Sequence, residues 1–469
     1  MVEVPLWQHQ KEAIQRSKLQ GGNELALFFD PGTGKTRTML EIMRHIYNTN
    51  KRVEKTLIVC PLIVTTNWVN EIRKYTKIPD SKVTLLHGTI SEKARTLAIL
   101  DGIVIVNYDI FTREEFRDAA IKWGPKVLVL DESHRCKDAS SKRTKSLIRL
   151  SMSMSKKAHR YLLTGTPITN DQTDLWSQFY ILDHGDTFGN NFFSFRSYYF
   201  YNVNANKPNA KFPLWVPRPG IEDNIKEKIS KKTIVAKKES CLDLPDLVFQ
   251  EYDVELSEKQ RKLYHEMKND FITFINGKEA VAQLALTKMM RMQQILSGFL
   301  KMEDGSVERF DNPREGMLRE LLSDLCRAHK VIVWSVFHED YATIRKICQD
   351  LKIGYVEVNG LLGEKEKFAN IESFQKDESV RVFSGSPQAG GIGINLVEAP
   401  ISIWYSRNYS LEQDEQAMAR NYRGGSERHT KVTRIDLVAR KTIDEVILKA
   451  VREKKKLADT ILNIDTNTF

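Results

Sequence analysis

A glycine-rich run near the N-terminus has the residue types needed to bind phosphate groups. Residues 30–36 read DPGTGKT; an apolar run typical of a strand precedes them at 24–29, and a helical pattern follows at 38–47. Glycines in such a loop let backbone N–H groups approach phosphate oxygens, and the following helix turns its positive end toward them. The residues predicted to surround the phosphates are Gly32, Thr33, Gly34, Lys35 and Thr36.

An acidic pair farther along the chain adds the chemistry of a hydrolytic site. Asp131 and Glu132 follow the apolar run 126–130, and the carboxyl end of a parallel strand faces the ligand crevice of such a sheet. Lys35 is predicted to bind the β- and γ-phosphates of ATP, and Thr36 and Asp131 to hold Mg²⁺. Glu132 is predicted to polarise the attacking water, so the expected reaction is ATP hydrolysis.

Two arginines near the C-terminus could stabilise the charge that develops during phosphoryl transfer. Arg420 and Arg423 lie three positions apart in the segment 416–425, QAMARNYRGG, and on a helix that spacing places them on one face. Two solvated helix arginines are the ordinary alternative. The catalytic interpretation requires the second half of the chain to close on the first, so that ATP binding and hydrolysis drive motion.

Short β-branched runs alternate with helical patterns in two separate sets along the chain. Because helices separate the runs, each set indicates a parallel sheet covered on both faces. The chain is therefore predicted to belong to the α/β class and to have two lobes. The predicted strands are 24–29, 56–60, 103–108, 126–130 and 160–164 in the first set, and 330–334, 354–358, 380–383, 401–404 and 432–437 in the second.

Between the two sets the strand pattern fades. Residues 188–201 carry a cluster of aromatic side chains, and residues 257–300 show a long helical pattern, so this region is predicted to form helical protrusions and a linker. The aromatic cluster is expected to be the core of a protrusion rather than a stacking platform for single strands. The terminal run 439–462 has apolar residues at helical spacing, which predicts a helix packed back on the lobes.

The composition excludes several classes of protein. The chain has 469 residues, of which 41% are hydrophobic and 28% charged, so it can bury a large core and is not disordered. No apolar run approaches the ~20 residues needed to span a bilayer. The five cysteines lie far apart, which favours a reducing compartment, cytoplasmic or nuclear, over secretion. The net charge of +10 is compatible with a polyanionic partner but is weak grounds for one.

The order of the motifs resembles that of the Swi/Snf-type DNA translocases of helicase superfamily two. The resemblance extends from about Trp7 to Leu462, nearly the whole chain. Single motifs are moderately specific, whereas nine motifs in one order are very specific. The matching segments are LWQHQKEA (6–13), DPGTGKT (30–36), CPLIVTTNWVNEI (60–72), IVNYD (105–109), DESH (131–134), LLTGTPITN (162–170), VIVWSVF (331–337), SPQAGGIGINL (386–396) and QAMARNYRGG (416–425).

The resemblance implies an architecture of two RecA-like lobes with helical protrusions between them. Lobe 1, which binds ATP, is expected over residues 1–183, the protrusions and linker over 184–313, and lobe 2 with the C-terminal helix over 314–469. The family's chemistry implies that Lys35, Glu132 and the two arginines are catalytic. A minimal member from a bacterial or viral source is expected, because the motifs occupy nearly the whole chain.

The resemblance also assigns roles to residues whose chemistry is not evident from their type. Gln10 is expected to recognise adenine, with Gln8 as the weaker candidate, and Trp68 is expected to pack in the core. The residues expected to couple the ATP site to nucleic acid are His134, Thr164, Thr166 and Gln416. The residues expected to lie along the nucleic-acid track are Asn67, Asn107, Ser386, Gly390 and Gly391.

These assignments predict a monomeric, DNA-stimulated ATPase that moves along duplex DNA, contacts mostly its backbone, and remodels DNA structures or displaces bound protein. Two alternatives remain. One is a strand-separating helicase acting on DNA or RNA. The other is an ATP-gated binding partner of a polymerase or recombinase that does not move processively. Nothing in the sequence indicates a membrane partner.

Overall fold

The computed structural model describes residues 5–19, 22–204, 215–241, 243–276, 282–302, 304–388 and 394–462. The chain separates into two compact units. The first unit is formed by Met1–Leu242 with Lys454–Phe469, and the second by Asp243–Glu453. Within the described ranges, no helix combines the length and the apolar character that a membrane span requires.

The first unit is built on a seven-stranded sheet in which every neighbouring pair of strands is parallel. The strand order is β3-β4-β2-β5-β6-β1-β9, and β7 and β8 form a separate antiparallel hairpin. The strands are β1 (Glu24–Phe29), β2 (Thr56–Cys60), β3 (Val83–Leu85), β4 (Ile103–Asn107), β5 (Val127–Asp131), β6 (His159–Thr164), β7 (Phe200–Asn202), β8 (Trp215–Pro217) and β9 (Thr233–Ala236).

Helices cover both faces of this sheet, because its central strands are apolar on both sides. Successive residues of one strand, such as Leu57 and Ile58 of β2, belong to different core clusters, one on each face of the sheet. The helices are α1 (Gln8–Arg16), α2 (Lys35–Asn50), α3 (Thr65–Tyr75), α4 (Ile90–Ile99), α5 (Glu114–Trp123), α6 (Lys142–Ser153), α7 (Asp174–Asp183), α8 (Phe192–Tyr199), α9 (Ile221–Ser230) and α10 (Lys238–Cys241).

The second unit has a six-stranded parallel sheet in the order β10-β17-β16-β13-β15-β14. The strands β11 and β12 form an antiparallel hairpin outside it. The strands are β10 (Asp246–Asp253), β11 (Phe299–Lys301), β12 (Val307–Arg309), β13 (Val331–Trp334), β14 (Gly354–Val358), β15 (Val380–Gly385), β16 (Ile401–Trp404) and β17 (Lys431–Val438).

The helices of the second unit cover its sheet in the same way and include the long helical pattern predicted around residues 257–300. The C-terminal helix begins in this unit, where Ile443, Ile447 and Val451 pack in one core cluster, and its residue Ala458 belongs to a core cluster of the first unit. The helices are α11 (Glu258–Asn276), α12 (Ala282–Leu296), α13 (Pro313–Leu325), α14 (His338–Asp350), α15 (Glu364–Lys376), α16 (Leu411–Met418) and α17 (Ile443–Leu462).

The two parallel α/β sheets confirm the predicted fold class, and all ten predicted strands are present within a few residues of their expected bounds. Of the six strands in the region where the pattern fades, two belong to the main sheets. β9 pairs with β1 and β10 pairs with β17, so each is an edge strand of a main sheet. The middle region therefore contributes to both sheets as well as forming helices.

Candidate nucleotide-binding site

The loop between β1 and α2 has the backbone shape of a phosphate-binding loop. Gly32 and Gly34 have φ values of 91° and 82°, which side-chain-bearing residues rarely adopt. A Cβ atom on Gly34 would lie 2.4 Å from Nε2 of Gln10, so a larger residue would displace that side chain as well as strain the backbone. Because α2 begins at Lys35, its unpaired N–H groups and positive end lie at the loop. The loop therefore fits a bound phosphate group.

Hydrogen bonds hold this loop in place, both within the loop and from Lys238 farther along the same chain. The Thr33 hydroxyl donates to the carbonyl of Asp30 at 2.8 Å, and Nζ of Lys35 donates to the carbonyl of Phe29 at 2.9 Å. The Asp30 carboxylate accepts a hydrogen bond from the backbone N–H of Lys238 at 3.0 Å. The ammonium group of Lys35 thus lies over the loop without an ion-pair partner among the described residues.

Helix α1 contacts the loop through two buried side chains. The Gln10 amide accepts from the N–H of Trp7 at 2.9 Å and donates to the carbonyl of Gly34 at 3.3 Å, whereas Gln8 is exposed. Nε2 of His9 lies 2.8 Å from the carbonyl of Thr33. Burial lowers the pKa of His9, and the bond to Thr33 opposes that shift. Gln10 is therefore at the loop, where the predicted role in adenine recognition requires it.

The carboxylate of Asp131, at the end of β5, is buried and held at both oxygens. Oδ2 accepts from the indole N–H of Trp68 at 2.8 Å, and Oδ1 accepts from the N–H of Glu132 at 3.1 Å. Burial and the neighbouring charge of Glu132 raise the pKa of Asp131 to about 6, while Lys35 and Trp68 act in the opposite direction. A buried carboxylate with a raised pKa is stabilised by a divalent cation, so this residue fits Mg²⁺.

Glu132 adopts a left-handed backbone conformation, with φ at 55°. For a residue that is neither glycine nor asparagine this costs about 1–2 kcal/mol, and such strain is concentrated at functional sites. Its Oε2 lies 3.4 Å from both Nδ1 of His134 and the hydroxyl of Thr164. His134 Nδ1 and the Thr164 hydroxyl are 2.9 Å apart, and the N–H of Thr166 donates to that hydroxyl at 3.1 Å. These contacts bring together the acidic pair and three of the residues expected to couple the site to nucleic acid.

Helix α7 fixes the loop that carries Thr166, a role that the sequence motifs do not indicate. Gln178 accepts from the hydroxyl of Ser133 at 2.8 Å and donates to the carbonyl of Pro167 at 2.8 Å. Asp174 accepts from the N–H groups of Thr169 and Asn170, both at 2.8 Å. The buried side chain of Gln178 therefore connects the segments 131–134 and 162–170, and that of Asp174 holds the end of the second segment.

The second unit carries the two arginines, but not on a helix. α16 ends at Met418, so Arg420 and Arg423 lie in the turns that follow, and the prediction that they share a helical face is wrong. The helix ends because the carbonyl of Arg420 accepts from the N–H of Leu396 at 2.9 Å and the amide of Asn421 donates to Ala399 at 3.0 Å. Gln416, by contrast, lies on α16.

The environment of Arg423 suits the binding of an anion. Its side chain is partly buried, and burial lowers its pKa. Within the described parts of the chain its guanidinium group has no hydrogen bond or ion pair. An arginine in such surroundings is costly unless an anion binds it.

Two family models match this chain. The SNF2-related domain matches residues 9–303, which is more than half of the chain, and the helicase conserved C-terminal domain matches residues 315–425. This chain belongs to the SNF2-related family.

Several relatives of the SNF2-related family match over nearly the whole chain. An uncharacterized ATP-dependent helicase of Mycoplasma genitalium is 26% identical over 99% of this chain, which spans only 43% of that protein. Protein p41 of Acyrthosiphon pisum secondary endosymbiont phage 1 is 24% identical over 92% of both chains. The SWI2/SNF2 ATPase core of Sulfolobus solfataricus, solved with dsDNA, is 21% identical, covers 99% of this chain and 98% of its own, and gives a TM-score of 0.44.

Three of the residues that the resemblance assigns to a nucleic-acid track lie at the carboxyl edges of the two sheets. Asn67 is exposed on α3, which follows β2, and Asn107 ends β4, the neighbour of β2. Ser386 follows the end of β15 and accepts from the N–H of Gln388 at 3.2 Å. Gly390 and Gly391 lie outside the described residues. Trp68 is fully buried, which confirms the prediction that it packs in the core.

Proposed function

We propose that this protein is a DNA-dependent ATPase that translocates along duplex DNA, and that it remodels DNA structures or displaces DNA-bound protein. Members of the SNF2-related family described as ATP-dependent helicases and remodelling ATPases are its relatives. The observation that carries the proposal is the phosphate loop and the acidic pair of the first unit, in which Asp131 is buried and Glu132 is partly buried, together with a partly buried arginine without an anion in the second unit.

The residues present define how ATP would be held. The N–H groups of residues 32–36 bind the phosphates, Lys35 adds a positive charge beside them, and Gln10 lies against the loop where an adenine base would be recognised. Thr36 and Asp131 would hold Mg²⁺, which when bound neutralises charge on the phosphates. Glu132, held near His134 and Thr164, accepts the proton of the attacking water.

The second unit supplies positive charge for hydrolysis. Arg420 and Arg423 are proposed to stabilise the γ-phosphoryl group as it is transferred, a contribution of about 10³–10⁵ in rate for such arginines. On this proposal residues 1–183 form the ATP-binding lobe, 184–313 the protrusions and linker, and 314–469 the second lobe. Hydrolysis would then depend on both lobes and would be linked to their motion.

Backbone contacts suit a motor that moves along any sequence, because phosphates carry no sequence information. We assign the phosphate contacts to Asn67, Asn107 and Ser386, and their short polar side chains at the carboxyl edges of their sheets support this assignment. The link from Glu132 through Thr164 to Thr166 gives a route by which the bound nucleotide and the bound DNA affect one another.

The test is the rate of ATP hydrolysis with and without double-stranded DNA. The unaltered chain is expected to be stimulated by duplex DNA. Lys35→Ala is expected to abolish turnover and weaken ATP binding, whereas Arg423→Ala is expected to retain ATP binding and lose about 10³-fold or more in turnover. Equal rates of ATP hydrolysis with and without nucleic acid would contradict the proposal that this protein is a DNA translocase.

Arg428→Ala is the matched control for Arg423. Arg428 lies five positions farther along the same turn region and forms an ion pair with Glu398 at 3.2 Å, with half of its side chain exposed. Its loss should leave turnover within about twofold, because exposed ion pairs contribute little. If Arg428→Ala and Arg423→Ala were equally impaired, the damage would come from the turn and not from the guanidinium group.

A further inference from the structure

The aromatic insertion, by which we mean the described residues 187–204 and 215–221, contains no acidic residue. Of the 469 residues of the chain, 61 are Asp or Glu, yet none falls in these two stretches. Its charged residues are Arg196 and Arg218. Since the insertion also lacks histidine, it stays positively charged across the physiological pH range and complements a polyanion.

One part of the aromatic insertion is core. Phe188, Phe195, Tyr199 and Phe200 are buried in a core cluster of the first unit, which confirms the prediction of core packing for these rings. The ring of Phe188 meets that of Phe179 on α7 edge to face, with centroids 5.4 Å apart. These contacts fix the insertion on the rigid part of the first unit.

A second set of rings in the aromatic insertion faces solvent. Phe193, Tyr198 and Tyr201 are 66%, 64% and 42% exposed, respectively. For these rings the prediction of core packing is wrong, because the helix α8 buries only Phe195 and Tyr199. Every nucleic-acid base has a face that stacks on an exposed aromatic ring, so these rings are candidate stacking partners.

One cation lies beside an exposed ring, and a second is bonded to the backbone next to another. The guanidinium of Arg196 is 5.3 Å from the ring centroid of Phe193 and 4.3 Å from that of Trp215. Arg218 donates to the carbonyl of Ser197, the residue before Tyr198, at 3.1 Å. Neither arginine forms an ion pair within the described ranges, and Nε of Arg196 is buried with no acceptor.

We propose that the aromatic insertion binds single-stranded nucleic acid. Unpaired bases stack on Phe193, Tyr198 and Tyr201, and Arg196 and Arg218 contact the phosphates between them. This role differs from the duplex contact of the proposed function, because the bases of a duplex stack on one another and are not free to stack on these rings. Binding here needs no ATP, so the inference stands or falls independently of the ATPase.

The experiment measures the affinity of the full chain for labelled single strands, oligo(dT) and oligo(U), and for a labelled duplex, without nucleotide. The triple variant Phe193→Ala/Tyr198→Ala/Tyr201→Ala is expected to weaken binding of the single strands at least tenfold. Duplex binding and duplex-stimulated ATP turnover are expected to stay unchanged. A preference between oligo(dT) and oligo(U) identifies DNA or RNA as the ligand.

The matched control removes three exposed rings elsewhere. Tyr47, Phe249 and Phe368 are 47%, 54% and 61% exposed, so Tyr47→Ala/Phe249→Ala/Phe368→Ala deletes similar surface without touching the insertion. It should bind single strands as the unaltered chain does. Equal weakening in the two triple variants, or no single-strand binding by the unaltered chain, overturns the proposal. If the unaltered chain binds no single strand, the surface would instead suit a protein partner. If the triple variant of the insertion also loses duplex binding, the rings would instead contact a duplex.

Crosslinking gives a readout that does not depend on affinity. An oligonucleotide carrying 5-iododeoxyuridine couples on irradiation to an aromatic side chain that its base stacks upon. Peptide mapping is expected to locate the crosslink at Phe193, Tyr198 or Tyr201. A crosslink confined to other parts of the chain contradicts the proposal even if the triple variant binds less well.

Discussion

At the scale of single residues, Trp68 has a role that its burial alone does not explain. Its ring packs in the core cluster on one face of the first sheet, and its N–H donates to Oδ2 of Asp131 at 2.8 Å. A buried carboxylate without that donor loses a hydrogen bond worth about 1–3 kcal/mol. Trp68 is therefore expected to position the carboxylate proposed to hold Mg²⁺.

Trp68→Phe keeps most of the ring and removes only the donor. ATP turnover is expected to fall by about tenfold or more, because Asp131 is left free to turn away from its working position. Steady-state kinetics in saturating ATP and DNA measure the effect, with thermal melting recorded in parallel.

Trp123→Phe is the control for lost stability. Trp123 is also buried, and its N–H donates to the carbonyl of Leu100 at 2.8 Å, so the substitution removes a comparable hydrogen bond in the same unit. Both variants should melt at similarly lower temperatures, while only Trp68→Phe should lose turnover. Equal losses of turnover would assign Trp68 a structural role only.

Sequence could identify the residues of this site that belong to local motifs, but not their partners. Lys35 and Thr36 follow from a seven-residue pattern, and Asp131 and Glu132 from a strand end. Trp68 and Asp131 are 63 positions apart, and Gln178 lies 45 positions from Ser133. Sheet order and helix packing bring such residues together, and the spacing of residues along the chain does not reveal these contacts.

At the scale of elements, Arg434 on β17 fixes the start of α16, the helix that leads to Arg420. Its Nη atoms bind the carboxylate of Asp414 at 2.6 and 2.9 Å, and Nε binds Asp436 at 3.0 Å. Its guanidinium lies 4.0 Å from the ring centroid of Trp404. Burial lowers the pKa of Arg434, but the charges of Asp414 and Asp436 outweigh it, and the net shift is upward.

Arg434→Met is expected to destabilise the fold by about 3–5 kcal/mol, because it removes a buried cation from between two carboxylates. Urea denaturation measures the loss. Arg440 is the control, since it also binds two carboxylates, Asp253 at 2.6 Å and Glu251 at 2.8 Å, but at the surface. Arg440→Met should cost about 0–1 kcal/mol. Equal shifts in the urea midpoint would contradict the importance of burial.

The strands show which elements a sequence pattern can predict. β2 and β16 are buried on both faces and read as continuous apolar runs, and both were predicted with their observed bounds. β10 was not predicted, because this edge strand reads DLVFQEYD and is only partly buried along its length. β9 has four residues and pairs only with β1 among the strands of its sheet. β10 has little apolar pattern because only part of its surface meets the core, whereas β9 is mostly buried but is too short to give a pattern.

At the scale of the whole molecule, one buried carboxyl group should give stability an unusual dependence on pH. Asp340 of α14 is fully buried, and its Oδ2 accepts from the hydroxyl of Ser406 at 2.6 Å. Burial raises the pKa of Asp340 to about 7, although Ser406 and the charge of Arg314 oppose the shift. In the unfolded chain the group would lose its proton near pH 3.8.

Between these values the folded state binds a proton at Asp340 that the unfolded state does not, so the contribution of this group to the free energy of unfolding should fall as pH rises from about 4 to 7. Asp131, whose pKa is raised to about 6, should add a decline that ends at lower pH. Asp340→Asn is expected to make the decline shallower, most of all above about pH 6, and to stabilise the chain at pH 8 by about 2–4 kcal/mol. Urea denaturation across this range tests it. Asp304→Asn, at an exposed site, should leave the profile unchanged; an unchanged decline in Asp340→Asn would assign it to other groups.

The bond between Trp68 and Asp131 also gives the protein an optical reporter of its own nucleotide site. The emission of an indole responds to the charge and protonation of a carboxyl group bonded to it. In a chain whose other tryptophans are replaced by phenylalanine, the remaining fluorescence would follow occupation of the cation position directly. Loading and release during turnover could then be timed without attaching a dye.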